Sequence, residues 1–222
     1  MTGFAIGFVI FPDLTQLDFT GPLQVLSRLP GGKTHIIAKT LDPVPSDCGL
    51  GLMPTTTLAE CPALDMICIP GGSGVAVAMR DPETISFVRR QAERARYVTS
   101  VCTGAFVLGA AGILKNRRAT THWAYTDLLP LVGATHESAR VVWDGNVVTA
   151  GGVTSGIDFG LEIVAQVADV GVAQAIQLGI EYDPKPPFDC GRPDRAPASV
   201  RRILEPRYAR SREAYKAALL AG

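Results

Sequence analysis

The chain alternates between short, nearly continuous apolar runs and longer stretches whose apolar residues recur every three or four positions. Phe4–Phe11 is an almost unbroken apolar run closed by Pro12-Asp13, the pattern of a strand buried on both faces. The period then lengthens: Gly21–Leu29 reads as a helix behind the candidate caps Asp18 and Thr20, stopped by Pro30-Gly31-Gly32. Thr34–Thr40 predicts a second strand. Residues 41–65 are rich in Pro and Gly and leave room for short strands or a small hairpin. Met66–Pro70 predicts a third buried strand running straight into Gly71-Gly72-Ser73-Gly74. Pro82–Arg94 is amphipathic, with Ile85, Val88 and Ala92 on one helical face.

Tyr97–Val101 predicts the next strand, and Thr103–Leu114 an apolar, Ala- and Gly-rich helix at the centre of the domain. Arg140–Trp143 and Val147–Ala150 flank Asp144-Gly145, a hairpin signal. Helices follow near Ser155–Ala168 and Val172–Leu178, then a loop over Asp183–Pro197 and a helix over 198–220. Strands alternating with helices predict an α/β fold, a mostly parallel sheet with helices on both faces. The pattern has no internal repeat, and residues 1–222 read as one domain with a basic helical C-terminal extension at about 197–222.

Composition narrows the function. Apolar residues make up 47% of the 222, and the net charge is zero, so nothing in the balance points to nucleic acid. The charge is uneven: residues 192–216 hold eight Lys/Arg against three acids, read as a solvated helix or a dimer arm. The N-terminal apolar run lacks a basic leader and is too short to span a membrane, so the expected compartment is the cytoplasm. Five cysteines without a CxxC pair signal neither a disulfide framework nor a zinc site. Cys68, inside an apolar run, reads as a buried small hydrophobe.

Cys102 is different. A β-branched strand stops at it, an apolar helix starts at once, and Gly104 sits where bulk would crowd the turn. That is the local pattern of a nucleophile elbow, which strains the backbone of its central residue and lifts the side chain above the sheet. The positive end of the helix would favour thiolate over thiol. A buried structural cysteine is the alternative. Gly71-Gly72-Ser73-Gly74 also follows a strand end, so its amides, with that of Thr103, could form an oxyanion cradle; a flexible or phosphate-binding loop is the other reading. The spacing matches neither common nucleotide motif. Asp18 follows the first strand at the same sheet edge and either caps a helix or carries protons to and from the sulfur. His122, beside Trp123, reads as a structural hydrogen-bonding residue or, less simply, a catalytic one. His35 and His136 have no supporting acid or cysteine.

Asp18-Phe-Thr-Gly-Pro, Pro70-Gly-Gly-Ser-Gly, Ser100-Val-Cys-Thr-Gly-Ala, Thr121-His-Trp and Gly151-Gly-Val-Thr-Ser-Gly-Ile-Asp together resemble the ThiJ/PfpI superfamily, and within it the isonitrile hydratases. The resemblance runs from Phe4 to about Ala168. It implies a flavodoxin-like fold related to class I glutamine amidotransferases, and a homodimer. It implies Cys102 as nucleophile, Asp18 as acid/base, and Gly72 and Thr103 as the backbone-amide positions that bind substrate. Thr103 stands where proteolytic relatives carry His, which argues against peptidase activity. The implied reaction is cofactor-free hydration of a small isonitrile to a formamide, with no metal and no nucleic-acid partner. Glyoxalase-like chemistry and a ligand- or redox-sensing domain are the alternatives, since sensor domains of AraC-type regulators resemble the same pattern. Those regulators carry a further helix-turn-helix segment after the domain, and the roughly 55 residues after the Asp158–Ala168 helix are too few for two such motifs.

Overall fold

The structure is a computed structural model, and it describes residues 3–220. In chain order the elements are β1 (Phe4–Val9), α1 (Gln16–Leu26), β2 (Gly32–Ala38), β3 (Val44–Pro45), β4 (Gly51–Leu52), β5 (Thr56–Thr57) and β6 (Met66–Ile69). Then come α2 (Val75–Ala78), α3 (Pro82–Ala92), β7 (Tyr97–Val101), α4 (Ala105–Ala110), β8 (Arg118–Ala119) and β9 (Thr135–His136). The chain continues through β10 (Val141–Asp144), β11 (Val147–Ala150), α5 (Ser155–Val167), α6 (Val170–Gly179) and α7 (Ala198–Leu220).

Seven strands form one sheet in the order β10-β11-β7-β6-β1-β2-β5. All pairs are parallel except the β10–β11 hairpin. Strands covered on both faces have no polar face to show, and β6 and β7 are accordingly buried almost throughout. From β1 the chain first builds outward through β2 and β5, then returns to the other side of β1 to lay down β6, β7 and β11. Strand order therefore reverses at β1, and the crevice beyond the carboxyl ends there is where α/β sheets of this kind bind ligands.

Three elements differ from the sequence reading. Helix α1 begins at Gln16, ahead of Gly21-Pro22, so Asp18 lies in its first turn instead of before it. The cap position is Thr15, and no side chain caps it. The helix expected over Thr103–Leu114 ends at Ala110, where the chain turns through Gly112 at φ +79°. The third difference concerns α7, whose second half is not solvated on every side. It packs on the irregular helical turn at Trp123–Val132, with Tyr215 and Ala218 buried. Arg212 grips the Asp127 carboxylate through two nitrogens, at 2.8 and 2.6 Å, and Tyr125 Oη meets Ser211 Oγ at 2.7 Å.

The Gly104 expectation holds on a measurable distance. A Cβ built there would stand 2.1 Å from the Ile69 carbonyl oxygen, inside the main chain of β6. Gly104→Ala must push α4 off the sheet, and we expect a loss of about 3 kcal/mol or more in urea unfolding. A variant with an unchanged midpoint would show that the turn relaxes freely.

Candidate active site

Four neighbouring strands deliver the site from their carboxyl ends. The turn after β1 leads to Asp18, the loop after β6 supplies Gly71 and Gly72, β7 ends at Cys102, and β11 runs into Gly151–Val153. The chain cannot pass from β7 into α4 through ordinary angles, and Cys102 takes the left-handed conformation at φ +57°. This region costs a non-glycine residue about 1–2 kcal/mol, and two bonds hold it. The Cys102 amide donates to the Gly151 carbonyl at 2.8 Å, and the Thr121 hydroxyl donates to the Cys102 carbonyl at 2.7 Å.

The loop after β6 is pinned as firmly. Gly72 sits at φ +127°, where a Cβ would lie 2.4 Å from the Thr15 amide nitrogen. A Cβ on Gly71 would meet Thr103 N and Asp18 Oδ2 at 2.6 and 2.8 Å. Only glycine lets this backbone approach both functional residues.

Asp18 is fully buried and accepts a 3.0 Å bond from the Gly71 amide on Oδ2. Its other oxygen makes no hydrogen bond of good geometry, and the carboxyl faces the Cys102 thiol. Burial pushes the Asp18 carboxyl up to about 7, against the pull of the Cys102 thiol and the Gly71 amide. Burial also pushes the Cys102 thiol well above its ordinary range, and the neighbouring Asp18 charge adds to this. The amides of Thr103 and Val153 face the sulfur and pull the other way, but they do not win. The thiolate expected from the helix end is therefore not the resting state. The two groups together hold two protons below about pH 7 and one, on the thiol, above it, and they titrate as a pair.

The oxyanion cradle is arranged differently from the expectation. The Gly72 amide donates to Thr103 Oγ1 at 3.1 Å and the Gly71 amide to Asp18, so neither points at a free position beside the sulfur. The amides that face the sulfur are those of Thr103, as expected, and Val153. Cys102 itself is 6% exposed. A cleft of about 640 Å³ adjoins the site through Thr121, Gly151 and Val153, its wall also including His122, Trp123 and Arg192; Cys102 does not line it. The wall mixes polar side chains such as Thr121 and His122 with apolar ones such as Trp123 and Val153.

His122 Nδ1 accepts from the Ala124 amide at 3.2 Å, starting the helical turn behind it. Burial holds its imidazole down near 4, so it is neutral at pH 7. The simpler structural reading fits that geometry. Among the described residues no cluster of three or more His, Cys, Asp or Glu side chains could hold a metal ion, and no helix is long and apolar enough to cross a membrane.

A model of the DJ-1/PfpI family matches residues 5–166. The chain belongs to the DJ-1/PfpI family. It is 56% identical over 195 residues to the isonitrile hydratase of Pseudomonas putida, a match covering 88% of this chain and 86% of that protein. A ThiJ/PfpI family crystal structure from Pseudomonas syringae superposes with a TM-score of 0.96 at 43% identity, covering 99% of this chain and 91% of that one. The HTH-type transcriptional regulator GbdR of Pseudomonas aeruginosa is 26% identical over 73% of this chain, which spans 46% of that protein.

Two contributors to this DJ-1/PfpI site escaped the sequence reading. Val153 acts through its amide, which side-chain identity does not reveal; the hint was Gly151-Gly152 at the end of a parallel strand. Tyr215 lies far outside the matched stretch, and its hydroxyl donates to the Gly72 carbonyl at 2.6 Å. Its trace in sequence is the spacing of Tyr208, Arg212 and Tyr215, which share one face of an arginine-rich helix.

Proposed function

We propose that this chain is an isonitrile hydratase, a lyase that adds water to R–N≡C to give the N-substituted formamide R–NH–CHO. The observation that carries the reading is the buried pair of Asp18 and Cys102, a carboxyl and a thiol both raised by burial and facing each other at the end of β7, in a chain 56% identical to a protein of that name. Sulfur adds to the terminal carbon, its proton passes to Asp18, and Asp18 delivers it to the same carbon. The product is a thioimidate, R–N=CH–S–Cys102. Asp18, now a carboxylate, takes a proton from water as the water oxygen attacks that carbon, and passes that proton to the nitrogen. Collapse breaks the C–S bond, releases R–NH–CHO and returns the proton to the pair. Atoms balance without any further reactant.

Access supports the substrate class. Cys102 is almost wholly buried and does not line the adjoining cleft, and an isonitrile presents a linear, two-atom tip that needs little width to reach it. Thr103 and Val153 offer amides where negative charge gathers on sulfur. Gly72 acts by holding Thr103. The enzyme works as a cytoplasmic homodimer with no nucleic-acid partner, in this reading. A one-chain mass by sedimentation would count against the homodimer.

Purified protein mixed with an aryl isonitrile is expected to form the formamide. Conversion of methylglyoxal with no action on isonitriles would move the chain to glyoxalase-like chemistry. Inertness toward both, with tight binding of a small molecule, would favour a sensing domain.

A further inference from the structure

The Tyr215 side chain is 1% exposed and lies against Tyr125 and Phe106, with ring centroids 5.1 and 5.8 Å away. Its hydroxyl touches two atoms of the site, Gly72 O at 2.6 Å and Thr103 Oγ1 at 3.3 Å. Counting protons fixes the directions. Tyrosine has one, which the short bond commits to the Gly72 carbonyl, so Thr103 is the donor in the longer contact. Thr103 in turn accepts from the Gly72 amide at 3.1 Å. The three bonds form a closed circuit in which every proton is used, and both polar groups of Gly72 belong to it.

We propose that Tyr215 is a positioning residue: through this circuit the C-terminal helix locks the Gly71-Gly72 loop and Thr103 into the register that presents the Gly71 amide to Asp18 and the Thr103 amide to the Cys102 sulfur. The proposal rests on the reading of Asp18 and Cys102 as the working pair. Its mechanism is short-range. The Gly71 amide favours the carboxylate form of Asp18, and Gly71 precedes the residue that Tyr215 holds. Without the hydroxyl, a buried carbonyl loses its donor, the Thr103 proton becomes free to turn, and the loop has no anchor on that side. The other titratable groups that act on the pair or on Tyr215 are Asp47 behind Asp18 and Tyr125 beside Tyr215. Tyr208 and Arg212 act on Tyr125 from the same helix as Tyr215.

The test is Tyr215→Phe in the full chain, with two readouts. With an aryl isonitrile, kcat should fall about tenfold while KM stays within about twofold, because the loss is in alignment and not in substrate contact. Independently of any isonitrile, the rate of Cys102 alkylation by iodoacetamide, read on the Cys102 peptide by mass spectrometry, should show its rise displaced to higher pH. Arg212→Ala loosens the same helix without touching the circuit and should leave that pH profile in place. Should Tyr215→Phe fail to fold, Thr103→Val and Thr103→Ser decide: the valine variant should shift the profile and the serine variant should restore it. A folded Tyr215→Phe with unchanged kcat and an unchanged alkylation profile overturns the proposal. A shifted profile in a protein inert to isonitriles would leave the positioning role standing and remove the hydratase reading.

Discussion

Cys102→Ala loses isonitrile turnover altogether, by about 10⁴-fold or more in kcat, while the protein stays folded. The substitution removes one sulfur atom, and alanine accepts the same main-chain bonds to Gly151 and Thr121 as cysteine does. The remaining thiols cannot compensate: Cys68, which feels the Asp18 charge, is fully buried within β6, where burial pushes its thiol up to about 12; Cys48 and Cys190 are exposed and Cys61 is half-buried. Formamide release followed by chromatography checks the loss. Intact-mass analysis of wild type during turnover should show a population heavier by one substrate, absent from the alanine variant. Substantial turnover by Cys102→Ala would remove the covalent route and leave Asp18 acting on water alone.

Asp18→Asn should lower kcat by about 10²–10⁴-fold, the range for removing a positioned acid/base. It should also move stability in the opposite direction. The folded chain keeps the Asp18 proton up to about 7, whereas the unfolded chain releases it near 3.8. Between those values the folded state binds more protons, so this group's contribution to stability falls as pH rises through the window and stays low above it. Asparagine has no charge to bury. Relative to wild type, Asp18→Asn should therefore melt a few degrees higher at pH 8 and show little gain near pH 4. The wild-type kcat/KM should rise through about pH 7, because below it both members of the pair are protonated and no base is present to accept the thiol proton. A flat profile across that range, or an asparagine variant less stable at pH 8, would show that the Asp18 carboxyl titrates normally.

The sheet was legible because strands buried on both faces are written as bare apolar runs, and β1, β6, β7 and the β10–β11 hairpin lie within a residue or two of where those runs fall. Helix ends were less so. Gly21-Pro22 looks like a start, but Gln16–Thr20 already belong to α1, and tertiary contact decides that boundary. Cys102, Asp18 and Thr103 could be found because each is a side chain near a strand end, and the topology brings those ends together. Their ionisation could not be read. A helix terminus beside a cysteine is visible in sequence; burial and an uncompensated carboxylate are not, and here they outweigh it. Long-range partners fared worst, since Tyr215 meets Gly72 across 143 positions with no local signature.

The left-handed backbone at Cys102 has an evolutionary side. Glycine would adopt φ +57° with no penalty and asparagine with little, so drift toward more stable sequences favours losing the cysteine at this position. Cysteine persists at such a turn only while selection rewards what the sulfur does. Within this fold, a glycine or asparagine at the equivalent turn would mark a lineage that has set its chemistry aside and kept the thermodynamic gain.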